Sequence, residues 1–211
     1  SGARDESFGD NGRLVTDIAA DGDIATNLVL QSDGKILVSG GSSVGASQTL
    51  LARYYEDGDP DGRFGTAGEL LLSGKRVGEG LAVQGDGKIV LVGNEGPGVD
   101  TSFATMRLDP DGTPDMSFGN AGTVTTAITT LGDVALAVAL QGDGKIVVAG
   151  GSSGQTNPNF AVGRYAPNGT LDTSFSTDGM LTVDFFGFTD VAESVGVESD
   201  GKIVLGGLPS D

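Results

Sequence analysis

The chain of 211 residues contains no cysteine, no histidine and no tryptophan. Without cysteine there is no disulfide, no thiol nucleophile and no thiolate metal site. Without histidine there is no Ser-His-Asp triad and no imidazole ligand for zinc, copper or haem. Basic residues are scarce too: 12 Lys and Arg stand against 29 Asp and Glu, a formal net charge of −17. That balance opposes nucleic-acid binding, which needs clustered cations against phosphate. It equally opposes anionic membrane surfaces. No apolar run approaches the roughly 18 residues that cross a bilayer as a helix, so no membrane insertion is expected.

Glycine, by contrast, is abundant, at 37 residues. Collagen would require it at every third position, and that period is missing. Disorder would require low hydrophobicity, yet short Val/Leu/Ile/Ala runs recur between Gly and Asp clusters. Runs of that length, so punctuated, read as strands and turns. No window carries an apolar stripe at 3.6-residue spacing, so essentially no helix is expected.

The strongest signal is self-similarity. Phe8, Phe64, Phe118 and Phe175 are spaced by 56, 54 and 57 residues, each preceded at three residues by Asp5, Asp61, Asp115 or Asp172. Gly12, Gly68, Gly122 and Gly179 follow four residues after each phenylalanine. Asp-Gly-Lys-Ile begins at Asp33, Asp86, Asp143 and Asp200, and Arg53, Arg107 and Arg164 each stand eleven residues before the next phenylalanine. We read 1–211 as a single repeat domain with units starting near 5, 61, 115 and 172. In the third unit the pattern predicts strands at Thr123–Thr129, Val134–Gln141, Lys145–Ala149 and Phe160–Tyr165. Tight Gly-containing turns separate them.

Four antiparallel strands per unit predict an all-β fold: a β-propeller of about four blades, each a four-stranded meander. The apolar Val134–Gln141 type is expected to be innermost. Counting gives about 15 strands, so the last blade is incomplete; it lacks its Arg-Tyr strand even if a strand near Gly12–Ile18 joins it. A four-bladed ring with one thin blade, part of a larger ring, and half of a ring completed by a second copy all fit this count.

The run Leu140-Gln141-x-Asp143-Gly144-Lys145-Ile146, then Phe160-Ala161-Val162-Gly163-Arg164-Tyr165-x-x-Asn168-Gly169, then Leu171-Asp172-x-Ser174-Phe175, resembles the delta-60 repeat, a bacterial β-propeller family of poorly defined function. The resemblance extends over essentially the whole chain. Departures are Arg63 before Phe64 and Ser176 in place of glycine. It implies the propeller fold and a secreted, cell-surface or periplasmic location, and no activity.

Residues recurring in every unit point to shared packing needs. The Asp-Gly-Lys lysines read as hairpin positions, the arginines as partners of turn aspartates, and the phenylalanines as staples between blades. Asp109, Asp111 and Asp115, and likewise Asp57, Asp59 and Asp61, alternate around a Gly or Pro as calcium-binding oxygens do. They also fit Pro-Asp-Gly turns whose Asp caps its own backbone. Loops that differ between units suit a binding surface on a rigid scaffold. The most conspicuous holds Phe185, Phe186 and Phe188, a platform for glycan or protein or a plug over an unpaired blade. Lys75-Arg76 is an adjacent basic pair suited to a carboxylate. The expected function is a non-catalytic binding or assembly module contacting protein or glycan, with self-association or entry into a larger complex. One alternative is a structural subunit of such a complex. Another is a glycoside-active enzyme using paired carboxylates among Asp17, Asp133, Asp184 and Asp190 at the channel mouth.

Overall fold

The computed structural model describes residues 2–18, 22–42, 48–73, 76–96, 100–153, 157–185, 187 and 189–210, with backbone alone at 42, 73, 76 and 208–210. Among them there is no helix, and fourteen strands fall into four antiparallel sheets. Blade 1 is β1 (Asp23–Leu30), β2 (Ile36–Ser42), β3 (Gln48–Tyr54) and β4 (Glu69–Ser73). Blade 2 is β5 (Arg76–Val83), β6 (Ile89–Glu95), β7 (Ser102–Leu108) and β8 (Thr123–Thr126). Blade 3 is β9 (Asp133–Leu140), β10 (Ile146–Ser153), β11 (Pro158–Tyr165) and β12 (Met180–Val183). The fourth sheet has two described strands, β13 (Thr189–Val197) and β14 (Ile203–Ser210).

Each blade is a meander in sequence order, and the first strand of each lies innermost: β5 contacts β1 and β9, and β9 contacts β13. The inner strands of blades 1 and 3 and of the last sheet carry a register shift. Opposite it sit Gly40, Gly150 and Gly207. A Cβ there would meet the carbonyl oxygen of Ile24, Val134 or Val191 at 1.9–2.0 Å. Glycine therefore recurs because the bulged inner strand runs too close for any side chain.

The core lies between blades. Leu37 and Leu51 of blade 1 pack on Ile89, Leu91 and Met106 of blade 2, with Phe64 in the same cluster. Val90, Val92 and Phe103 meet Ile146, Val148 and Tyr165 at the next junction, beside Phe118. Val147, Ala149 and Val162 meet Ala192, Val195 and Leu205 at the third, beside Phe175.

Two expectations need correction. The strand beginning at Thr123 does not open the third blade; it pairs with β7 and closes the second. The phenylalanine turn folds the chain back on the strand just left, with the Arg107 amide donating to Gly122 O at 2.8 Å. A sequence unit starting at 61, 115 or 172 therefore straddles two blades. Second, residues Gly12–Ile18 form no strand. Their segment makes one isolated bridge, between Gly9 and Arg13, and the fourth sheet stays two-stranded among the described residues.

Candidate functional site

The meander puts the Asp-Gly-Lys and Pro-Asp-Gly turns at one end of the blades and the variable loops at the other. At the turn end each recurring lysine and arginine has an aspartate partner. Lys35, Lys145 and Lys202 pair with Asp33, Asp143 and Asp200 of their own turns, whereas Lys88 reaches Asp109 at 2.5 Å and Asp115 at 3.0 Å. Arg53, Arg107 and Arg164 donate from Nε to Asp61, Asp115 and Asp172 at 2.9, 2.6 and 2.9 Å. Each guanidinium also lies over the following phenylalanine, Phe64, Phe118 or Phe175, at 4.7, 4.5 and 4.9 Å from the ring centroid. Arg53 and Arg107 reach on to the carbonyls of Pro110 and Pro167 in the next blade's turn. The arginine thus ties its own turn, its stapling phenylalanine and the neighbouring blade together.

Burial alone would raise the Asp115 carboxyl. Hydrogen bonds from the Ser117 hydroxyl and amide, Lys88 and Arg107 outweigh it and hold the group well below the usual carboxylate range. At Asp61, burial is likewise outweighed, by the Arg63 amide, the Tyr55 hydroxyl and Arg53. Asp57 accepts from the Asp59 amide at 3.0 Å, and Asp111 from the Thr113 amide and hydroxyl at 2.9 and 2.7 Å. In the structure Asp61, Asp109 and Asp115 thus face cations, and Asp57 and Asp111 face turn amides. Among the described residues no three carboxylates are arranged to hold a metal ion.

At the loop end the described aspartates do a different job. Asp23 and Asp133 open β1 and β9, Asp190 is the second residue of β13, and each accepts the backbone amide five residues upstream, from Ile18, Ile128 and Phe185, at 2.6, 2.8 and 2.6 Å. Asp133 also accepts from the Thr129 hydroxyl at 2.9 Å, and both Asp133 and Asp190 are buried. Each clamps the loop entering an inner strand. The signal was readable in the recurring Asp23-Ile24-Ala25, Asp133-Val134-Ala135 and Asp190-Val191-Ala192. Of the four carboxylates suggested for glycoside chemistry, these two are committed to loop anchoring, and Asp17 and Asp184 are exposed.

Phe185 lies on one of these clamped loops. The residue is 43% exposed, and its ring meets Phe160 edge-on, with centroids 5.1 Å apart. Gly187 O accepts from the Asn157 side chain, joining this loop to its neighbour. Phe186, Phe188 and Lys75 lie outside the described residues; Arg76 begins β5, and its side chain is not described.

A second feature is the outer face of blade 1. Residues 5–18 lie along its rim, and together they line a cavity of about 510 Å³ with Phe8, Leu14 and Thr16 on one side and Leu28, Val38 and Tyr54 on the other. The Thr16 and Tyr54 hydroxyls are 2.6 Å apart, as Thr126 and Tyr165 are at 2.9 Å between blades 2 and 3. The segment thus sits against blade 1 as β8 sits against blade 3. It takes the place of the outer strand of a preceding blade.

Residues 31–64, 84–118 and 141–175 match a family model described as a domain of unknown function (DUF5122) beta-propeller. Comparison with curated proteins returns no match. The three matched stretches each run from an Asp-Gly-Lys turn to a stapling phenylalanine, so each spans the second and third strands of one blade. Matches and topology agree: the chain is built of β-propeller repeats.

Proposed function

We propose that this chain is a non-catalytic binding or assembly module that contacts protein or glycan through its variable-loop end. The observation that carries the reading is the division of labour between the two ends. At the turn end the same Arg-Asp-Phe arrangement recurs in all three complete blades and occupies the charged groups internally. At the loop end the sequence differs from blade to blade, and a half-exposed aromatic is held on a loop fixed by a buried carboxylate. Rigid loops with exposed aromatics are suited to sugar rings and to protein side chains. The delta-60 affiliation, a bacterial source and a secreted or cell-surface location belong to the same proposal. The strong acidity favours it by keeping an exported protein soluble.

The test is affinity electrophoresis of the chain through a panel of soluble polysaccharides, with a peptide array in parallel. Wild type is expected to be retarded or captured by at least one probe. The Phe185→Ala/Phe186→Ala/Phe188→Ala variant is expected to lose most of that binding while remaining cooperatively folded, with the lost Phe160 contact lowering its melting temperature only slightly. Binding that survives the triple change and disappears on altering the turn end would refute the reading. Hydrolysis of a polysaccharide, abolished by Asp184→Asn, would favour the enzyme instead.

A further inference from the structure

The two ends of the row of blades are unequal and complementary. Each internal junction joins the same two faces. The accepting face belongs to the first and second strands of the later blade, and its positions are equivalent from junction to junction. Leu81 and Val83, Val138 and Leu140, and Val195 and Val197 are all drawn into the three core clusters. Their counterparts in blade 1, Leu28 and Leu30, are 61% and 69% exposed. The donating face centres on the second strand of the earlier blade, where Leu37, Val90 and Val147 are fully buried. Their counterpart in β14, Val204, is 52% exposed. Among the described residues one apolar face therefore has no donor over it and the other no acceptor. Among the described residues no contact comparable to β1 with β5 joins β13 or β14 to β1. Among the described residues one of these faces does not cover the other.

We propose that the outer face of blade 1 is a docking site for a second copy of this chain, which inserts its β13–β14 sheet head to tail. The proposal deepens the assembly reading above and rests on it. The incoming β14 would bring Val204 over Leu28 and Val38. Residues 5–18 already supply the outer rim, so the vacant part of the face is the inner part, the part a two-stranded sheet covers. Complementary but non-identical faces make a heterologous contact, which propagates into rings or open chains. Each copy carries a net charge of −17, so mutual repulsion opposes the contact. Added salt screens that repulsion and leaves the apolar contact intact, so association strengthens as salt rises.

The test is sedimentation velocity of the 211-residue chain from micromolar to submillimolar concentration in 0.05 M and 0.5 M salt. Wild type is expected to exceed the 21.1 kDa mass of one chain as concentration rises, more so at high salt. Leu28→Asp blocks the acceptor and Val204→Asp the donor; both sites are exposed, so thermal melts should stay at the wild-type value. Each variant alone is expected to remain monomeric. Mixed one to one, they retain one good donor and one good acceptor and should form a dimer and nothing larger. Should either charge prevent folding, Leu30→Asp and a β14-directed Val204→Lys serve in the same design. A wild type fixed at one chain mass throughout would overturn the proposal, as would single variants that still self-associate. Neither result bears on ligand capture by the loop end, which the Phe185 variant tests separately.

Discussion

Replacing Arg107 by alanine should be a strongly damaging change at the turn end. Its side chain is almost fully buried and donates to Asp115 at 2.6 Å and to Pro167 O at 2.6 Å, with its guanidinium 4.5 Å from the Phe118 centroid. Asp115 is buried beside it, so removal strands a carboxylate with Lys88 as its remaining cation. Breaking a buried pair in this way costs about 3–5 kcal/mol. A chain of this size loses roughly 2–4 °C of melting temperature per kcal/mol, so a fall of about 6–20 °C is expected. Arg164 provides the internal control. It makes the same contact to Asp172, but both side chains are more exposed, and its described hydrogen bonds stop at Asp172 and Ser174. Without a bond to a following blade and with solvent screening, Arg164→Ala should cost only about 1 kcal/mol. Chemical denaturation of the two variants, monitored by far-ultraviolet circular dichroism, makes the comparison. Equal losses, or a loss below about 1 kcal/mol for Arg107→Ala, would refute the claim that this arginine ties one blade to the next.

Acid should weaken the same ties. Asp61 and Asp115 titrate lower in the folded chain than the ~3.9 of an unfolded aspartate, so their contribution is complete above about pH 4 and lost as pH falls through the folded values. The stability gap between wild type and Asp115→Asn should therefore be constant from pH 7 to about 5 and shrink below 4; a gap that widens on acidification would contradict this. Ser176 holds a left-handed φ of 57° where the equivalent Gly65 and Gly119 have 53° and 54°. Ser176→Gly should stabilise by up to about 1 kcal/mol in thermal melts, and a loss would show that the serine side chain matters more than its backbone. With Asp61, Asp109 and Asp115 engaged by Arg53, Lys88 and Arg107, and Asp57 and Asp111 by turn amides, millimolar calcium followed by chelator should leave the melting temperature unchanged; a rise on adding calcium would support these stretches as a metal site.

The repeat, the all-β class and the inner strand were legible because each rests on local chemistry repeated at fixed offsets. Asp-Gly-Lys marks a turn wherever it occurs, and a glycine such as Gly150 recurs because a close backbone approach recurs with it. The phase of the blades was not legible. Spacing alone does not say whether Thr123 pairs backwards or forwards; the Gly122 carbonyl accepting from Arg107 decides it. The calcium pattern rests on spacing alone, whereas in the structure Asp61, Asp109 and Asp115 face cations and Asp57 and Asp111 face turn amides. The clamps at Asp133 and Asp190 are written in the sequence as Asp-Val-Ala, but nothing there separates their role from that of Asp17 and Asp184, because burial does not show in a string of letters. The unequal ends of the blade row were invisible for the same reason: Leu28 and Val138 look alike until one has a neighbour and the other does not.

The absence of cysteine allows a direct test of whether the row of blades is open. Spin labels on Leu28→Cys and Val204→Cys report the separation of the two unpaired faces by pulsed electron resonance, in a dilute sample where each chain is alone. The expected result is no short-distance population between the labels within one chain. A short one appears only between singly labelled chains at high concentration. If the ring closed on itself, the two sheets would pack about 10 Å apart, as stacked sheets do. A short intramolecular distance in the dilute sample would contradict the open arrangement and the docking face with it.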